Sequence, residues 1–398
     1  MIEVESAREK IRQVLSQQKK VESISILDAV GRVCAEDISA QLAVPDFVRA
    51  CMDGYAVKAE DIQEASSENP VCLKVIDSIF AGDTLTDYSK GKGVAVRIMT
   101  GAQVPENFDA VVKQEWTDYG EEEVNIYKAI EKGKNCSEIG EDISLNQPIV
   151  SKYQLLNSYA VGALATQGIQ SIKVFAPLKV GVLVTGNELV SLERSLSQGK
   201  IYDSNLYTLV SLIQTSGAEV VFKEKCSDGI EVICETIYQQ IDDVDLFITT
   251  GGVSVGEKDY VPDAIGKLGG KCLFHFVHMK PGTPVMASLY HNRVILSLSG
   301  NPFASIVNFH VFYWSILAYF MNCPELNLKC REVKLAEDLA VSSIRRFIRA
   351  FEENGVVSLT SGKQYASVNT IKTNCLIDQP AKISLEKGDC VKVYYWKE

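Results

Sequence analysis

Residues 245–259, DLFITTGGVSVGEKD, decide the fold. Leu246-Phe247-Ile248 is a short apolar run that reads as a buried parallel strand. It breaks at Thr249-Thr250-Gly251-Gly252 into a loop of hydroxyls and glycines that ends at Gly256. Helical pattern resumes at about Asp259, a good N-cap type, with Pro262 tolerated in the first turn. A strand feeding a glycine-rich loop and then a helix turns backbone N–H groups and a positive helix end toward an anion. Such turns also occur with no ligand, so the rest of the chain has to decide.

The same rhythm repeats on both sides. Residues 180–184, 220–222 and 294–298 read as strands, while 206–215, 230–241 and 260–268 read as helices, with a long helix after Pro302. This alternation predicts a doubly wound α/β domain, whose ligands sit at the carboxyl ends of the strands. Thr185-Gly186, Thr250-Gly251-Gly252 and Gly300-Asn301-Pro302 all fall at such ends. Upstream, residues 1–20 read as an amphipathic helix, and a second helically periodic segment spans 24–33. From 57 to 150 short strands alternate with turn signals, among them Ala81-Gly82-Asp83 and the Lys90–Gly93 stretch, which marks an α+β or mainly β module. Residues 151–176 return to helical spacing, so the middle module reads as an insertion. The tail after Leu328 is strand-like and reads as a small β domain.

Composition narrows the function. At 398 residues the chain has room for several domains. A net charge of −11 argues against a general nucleic-acid or anionic-membrane binder, though not against an anionic small substrate. The eleven cysteines are scattered without a C-x-x-C pair, which fits reduced thiols in a cytoplasmic protein better than disulfides or structural zinc. MIEVESAREK carries no apolar signal region. The longest apolar stretch, 306–321, is interrupted by Asn308, His310 and Ser315, so it reads as a buried helix rather than a membrane span. His275, His278, His291 and His310 show no ligand spacing and read as structural, and Met279, Phe309, Phe312 and Tyr313 read as core.

Eight motifs in one order now point the same way: MDGYAV at 52–57, RIMTGAQVPENFDAVVKQE at 97–115, GEDI at 140–143, VTGNELV at 184–190, GKIYDSN at 199–205, TTGGVSVGEKDYV at 249–261, KPGTP at 280–284 and GNP at 300–302. Together they resemble the molybdopterin molybdenumtransferases, the family that includes the C-terminal domain of gephyrin, and the match is colinear over the whole chain. The resemblance implies an α/β multidomain homodimer. Its parts would be a helical linker domain (1–44 and 146–176), an inserted α+β module (45–145), a doubly wound molybdopterin-binding domain (177–327) and a C-terminal β-barrel-like domain (328–398). It also implies a Mg²⁺-dependent reaction in which adenylylated molybdopterin and molybdate give molybdenum cofactor and AMP, downstream of a molybdopterin adenylyltransferase.

The residues suit that chemistry. Amide-rich strand ends are wanted for the phosphate and the anhydride. Thr250, Gly251, Gly252, Ser254 and Gly256 supply them, helped by Ser204 and Asn205. Thr185, Gly186, Lys280, Pro281, Gly282, Ser299, Gly300, Asn301 and Pro302 stand in the matching motifs as further binding candidates. Cleaving an anhydride beside an oxyanion calls for a hard cation held by carboxylates. Glu188, Asp228 and Asp259 are the metal candidates. Asp53, Thr100 and Asp142 join Glu188 and Asp259 as catalytic candidates, and by resemblance Asp53 and Asp142 face the pterin domain of the other subunit. Structural readings stand beside these: Asp259 as an N-cap, Asp53 and Asp142 as turn residues, Asp228 as a turn or helix cap.

The chain departs from the family pattern near these residues. Ala50 stands for a serine, Cys136-Ser137-Glu138 lacks an arginine, Asn187 replaces an aspartate, Thr283 a lysine and Ser299 a proline. Each lost charged contact is worth ~1.5–3 kcal/mol, or roughly ten- to a hundredfold in affinity. The reading is a divergent transferase; its rival is a non-catalytic paralogue that binds or carries molybdopterin or its molybdenum or tungsten form. A scaffold role has no support in the sequence, and a pyrophosphatase-like activity is a related enzymatic possibility.

Overall fold

The computed structural model describes residues 1–16, 19–85, 88, 92–360 and 367–396, so Lys90 and Gly91 of one predicted turn lie outside the described residues. The chain divides into two compact units: 1–36, 153–157 and 172–398 form the first, and 37–152 with 158–171 form the second. Helix α1 (Val4–Val14) opens the first unit, and α2 (Ser158–Thr166) belongs to the second.

The first unit is built on a six-stranded sheet. Its strands are β1 (Lys179–Thr185), β2 (Glu219–Cys226), β3 (Leu246–Thr250), β4 (Lys271–His275), β5 (Met286–Tyr290) and β6 (Arg293–Leu298), in the order β2-β1-β3-β6-β5-β4. The pairs β1–β2, β1–β3 and β3–β6 are parallel; β5 and β4 add an antiparallel edge. Helices α3 (Asn205–Thr215), α4 (Ile230–Gln240), α5 (Val261–Lys267) and α6 (Pro302–Met321) complete the fold. Successive side chains on a strand point to opposite faces, and both faces are covered. Val180, Val182 and Val184 of β1 pack with α1, α3 and α6, while Leu183 of β1 and Phe247 of β3 pack with α4 and α5. Burial on both faces is why β3 shows an unbroken apolar run rather than alternation.

Helix α6 is, among the described residues, the one helix long and apolar enough to cross a membrane, and 83% of its most apolar window is buried inside the protein. Met279, Phe309, Phe312 and Tyr313 are core, as the pattern predicts. His310 is buried with them; its Nδ1 accepts from Trp314 Nε1 at 2.9 Å, and burial pushes its pKa down to about 3.

The C-terminal strands β7 (Cys330–Leu335), β8 (Arg345–Glu353), β9 (Val356–Leu359), β10 (Cys375–Gln379) and β11 (Cys390–Tyr395) run β8-β9-β7-β11-β10, and β10 pairs back on β8. The sheet is therefore a closed five-stranded barrel, with no open edge between its members. Arg345 forks onto Asp378 (2.6 and 2.7 Å) and reaches Glu5 of α1 at 2.6 Å.

Three local expectations need correction. Residues 24–33 are not helical: Val21–Ser25 is a strand paired with Ser171–Phe175, followed by a 3₁₀ turn at Ile26–Asp28. The helical spacing read into 151–176 is confined to α2, because the chain ends that stretch in the Ser171–Phe175 strand. Asp259 is not a helix cap: α5 begins at Val261 with Tyr260 at the N-cap position.

In the second unit a five-stranded sheet runs Ala110–Lys113, Gly54–Val57, Val94–Ile98, Val71–Ile79, Glu123–Ile126. Gly54 is forced by close packing: a Cβ there would lie 1.9 Å from the Val112 carbonyl oxygen.

Candidate functional site

In the second unit, antiparallel pairing of Gly54 with Ile98 brings Asp53 and Thr100 together just beyond the strand ends. Asp53 Oδ1 accepts from the Thr100 amide at 2.8 Å and from its hydroxyl at 2.7 Å. These two donors hold the Asp53 carboxyl below its ordinary value. Asp142 follows the turn at Gly140; its amide donates to the Val44 carbonyl at 3.0 Å and its side chain is exposed. The Arg49–Ala50 and Cys136–Ser137 strands pair, so Ser137, within the stretch that lacks an arginine, is buried opposite Arg49.

In the first unit, register aligns the ends of β1, β3 and β6, with Val184 opposite Thr250 and Thr250 opposite Leu298. The loops that follow are in close contact. Gly251 sits at φ +93°, and a Cβ on it would stand 2.4 Å from the Thr185 carbonyl oxygen; one on Gly300 would stand 3.2 Å from Gly251 Cα. Asn205, the first residue of α3, clamps the junction by donating to Gly300 O (2.9 Å) and Thr250 Oγ1 (3.2 Å). Thr250 Oγ1 in turn donates to Ser299 O at 3.0 Å.

These strand ends floor a cleft of about 300 Å³. Thr185, Gly186, Ser204, Asn205, Thr250, Gly251 and Gly252 line it, with Gly300 and Pro302 beyond them. The three carboxylates Glu188, Asp228 and Asp259 line the same cleft, as does Lys258. Glu188 is exposed. Asp228 and Asn187 clasp each other: Asp228 Oδ2 accepts the Asn187 amide (2.9 Å), and Asn187 Oδ1 accepts the Asp228 amide (3.2 Å). Asn187, the neutral residue at a position the family gives to aspartate, thus makes the acceptor contact an aspartate would make, without a second charge. Lys200 and Lys225 donate to the carbonyls of Asn187 (2.6 Å) and Leu189 (2.8 Å) and fix the same loop. Asp259 closes its own loop by accepting the Gly256 amide through Oδ2 at 2.6 Å.

The remaining binding candidates are not in this lining. Ser254 and Gly256 lie on the loop above it. Lys280 is exposed on a two-residue strand paired with β8. Gly282 and Ser299 are joined by the buried amide of Asn308: its Nδ2 donates to Gly282 O (2.8 Å) and its Oδ1 accepts the Ser299 amide (3.1 Å). Pro281 lies in the same turn. Asn301 caps α6 by accepting the Ala304 amide. The two departures here are locally satisfied: Thr283 Oγ1 donates to Met279 O at 2.6 Å, and Ser299 Oγ to Pro284 O at 2.9 Å.

The pattern reading missed Lys258 and Asp203. Asp203 is buried at the start of α3, where its Oδ1 accepts the Leu206 amide at 3.0 Å. Burial pushes its carboxyl up, against the amides of Leu206 and Asn205. An acid directly before Ser204-Asn205, inside the GKIYDSN motif, was the available signal. Among the described residues, no three His, Cys, Asp or Glu side chains gather into a metal-holding group.

Strand-end amides, the first turns of α3 and α6 and a rim of carboxylates define a class: doubly wound domains that hold a phosphate-bearing ligand across their strand ends. Known proteins sharpen this. Residues 2–168 match the MoeA N-terminal region (domain I and II), and 181–318 match the probable molybdopterin binding domain. A molybdopterin molybdenumtransferase of Staphylococcus aureus is 33% identical, covering 94% of this chain and 91% of its own length. One of Bacillus subtilis is 36% identical, covering 86% and 81%. The crystal structure of a molybdopterin biosynthesis MoeA protein from Pyrococcus horikoshii superimposes with a TM-score of 0.84 at 30% identity, over 99% of both chains. The chain belongs to the molybdopterin molybdenumtransferase family.

Proposed function

We propose that this chain inserts molybdate into adenylylated molybdopterin and releases AMP, acting as a homodimer. The observation that supports this best is the convergence of Gly251, Gly252, Gly300 and Asn205 with Glu188, Asp228 and Asp259 around one cleft. The amides suit the phosphoanhydride and Lys258 adds a positive charge. The carboxylates offer hard oxygen donors. Mg²⁺ takes one or two carboxylates together with substrate phosphates and keeps several waters, so this donor set fits it without a cage of three protein ligands. One or two of Glu188, Asp228 and Asp259 would hold it, where it would neutralise charge developing on the anhydride. The protein's own part is orientation: Asn205 and the clasp between Asn187 and Asp228 fix the loops on which the carboxylates stand.

The carrier reading draws support from Thr283 and the Cys136-Ser137-Glu138 stretch, where expected cations are missing, the Thr283 hydroxyl being turned inward onto the Met279 carbonyl. Turnover of adenylylated molybdopterin with Mg²⁺, with and without molybdate or tungstate, separates the two. Molybdate-stimulated AMP release, lost in Glu188→Gln with pterin binding retained, is the expected result. Tight pterin binding with no AMP release would refute the transferase and leave the carrier. Release with tungstate alone would correct the metal.

A further inference from the structure

Two buried polar atoms at the cleft have no hydrogen-bond partner among the described residues: Thr185 Oγ1 and Asp203 Oδ2. The second is the more demanding. Asp203 is only 4% exposed, and one of its oxygens is committed to the Leu206 amide. A buried carboxylate oxygen without a donor is costly, more so than a neutral group. A ligand that brings a donor removes that cost.

Two kinds of donor are available, a divalent cation or an N–H group. The cation proposed for this cleft is given to Glu188, Asp228 and Asp259, and among the described residues Asp203 gathers with no two of them into a metal-holding group. The residues just before Asp203 point to the other kind. Ile201 and Tyr202 line the cleft and remain 55% and 41% exposed. An aromatic side chain left open beside a buried acceptor suits a flat heterocycle, whose face meets the ring while its edge donates. The Leu206 amide fixes one carboxylate oxygen, and the bond from the Asp203 amide to Val190 O (3.3 Å) fixes the backbone that carries it, so the other oxygen is pre-positioned.

We infer that Asp203 is the residue that reads the pterin: its free Oδ2 accepts from the amino and ring N–H edge of the heterocycle, with Tyr202 bordering the ring. This rests on the proposed function only in taking a pterin as the ligand. A carboxylate only accepts, so it favours an edge with two adjacent donors over the donor–acceptor edge of adenine. Asp203 therefore assigns the pterin, and not the adenylate, to this end of the cleft.

The test is fluorescence titration of the full chain with pterin-6-carboxylate, beside calorimetric titration with AMP, each with and without Mg²⁺. Asp203→Asn keeps an acceptor for the Leu206 amide but turns an NH₂ toward the ligand's own donors. Pterin affinity is expected to fall about tenfold or more, independently of Mg²⁺, with AMP binding unchanged. Tyr202→Ala, at a 41%-exposed position, is expected to weaken pterin and spare AMP. Equal pterin affinity in wild type and Asp203→Asn overturns the assignment and leaves the proposed function standing. A loss seen only with Mg²⁺ overturns it in favour of a metal ligand. If Asp203→Asn does not fold, unchanged pterin affinity in Tyr202→Ala overturns it. A wild type that takes up no pterin overturns this assignment, while the proposed function stands or falls by its own AMP-release assay.

Discussion

Gly251→Ala is the most direct probe of how the cleft is built. The new Cβ would stand 2.4 Å from the Thr185 carbonyl oxygen and 2.9 Å from its Oγ1, at a residue held at φ +93°. Ordinary contact begins near 3.4 Å, so the β1 loop or the β3 loop must retreat by roughly 1 Å. The obstacle is backbone, not the free end of a side chain, and cannot swing aside. Placing an L-residue in that region costs ~1–3 kcal/mol, and overpacking a tight contact a further ~1–3 kcal/mol. With about 2–4 °C lost per kcal/mol for a domain of this size, calorimetry should show the main transition fall by about 5–20 °C. AMP binding should weaken as well, because the displaced loops line the cleft. Gly266→Ala is the control: its Cβ meets nothing within 4 Å, and it lies inside α5. That variant should gain ~0.5–1 kcal/mol. A Gly251→Ala protein that melts with the wild type and binds AMP equally well would refute the reasoning.

Three further outcomes are expected. Thr100→Val removes one of the two donors to Asp53 and should move its titration back toward the ordinary value of about 3.9. A depressed carboxylate contributes stability above its unfolded value and loses it as pH falls through the folded one, so the variant should lose less on acidification; an unchanged carboxyl NMR titration would count against this. Asn308→Leu leaves the Gly282 carbonyl and the Ser299 amide unpaired at a site with 0% exposure. At ~1–3 kcal/mol per orphaned group, guanidinium unfolding should show a loss of ~2–5 kcal/mol, and a loss within error would refute it. Arg345→Met strands Asp378 in its 7%-exposed position and should cost ~3–5 kcal/mol. Arg345→Lys should recover little of this, since an ammonium cannot repeat the two-point fork; full recovery in the melting temperature would contradict that account.

Legibility in the sequence followed the physics of each element. Strands β1, β3 and β6 and helices α3 to α6 were readable because double-sided burial leaves unbroken apolar runs and helices keep their period. The antiparallel edge, β4 and β5, was not readable, because KCLFH and MASLY have no distinctive pattern and become strands by pairing beside β6. The helical reading of 24–33 failed for a similar reason: the Val21–Ser25 strand it overlaps is defined only by its distant partner, Ser171–Phe175. At the site, glycines forced by close backbone contact stood out, as did carboxylates at strand ends. Asp203 did not, because burial of one oxygen is a tertiary fact. The Asn187–Asp228 clasp joins residues 41 apart, and no local spacing encodes it.

The first unit takes its opening helix from one end of the chain and its partners from the other. Arg8 Nε donates to Val311 O across 303 residues, and Glu5 meets Arg345 across 340. During synthesis at ~5–20 residues per second, α1 therefore emerges roughly 15–60 s before the surface it covers exists. The second unit, 37–152 with 158–171, is complete long before that and has its own core. A nascent chain must then carry a finished module while the apolar stripe of Val4, Ala7 and Ile11 waits uncovered. The docking of α1 thus belongs to the last stage of assembling the first unit, after residues 302–345 have been made.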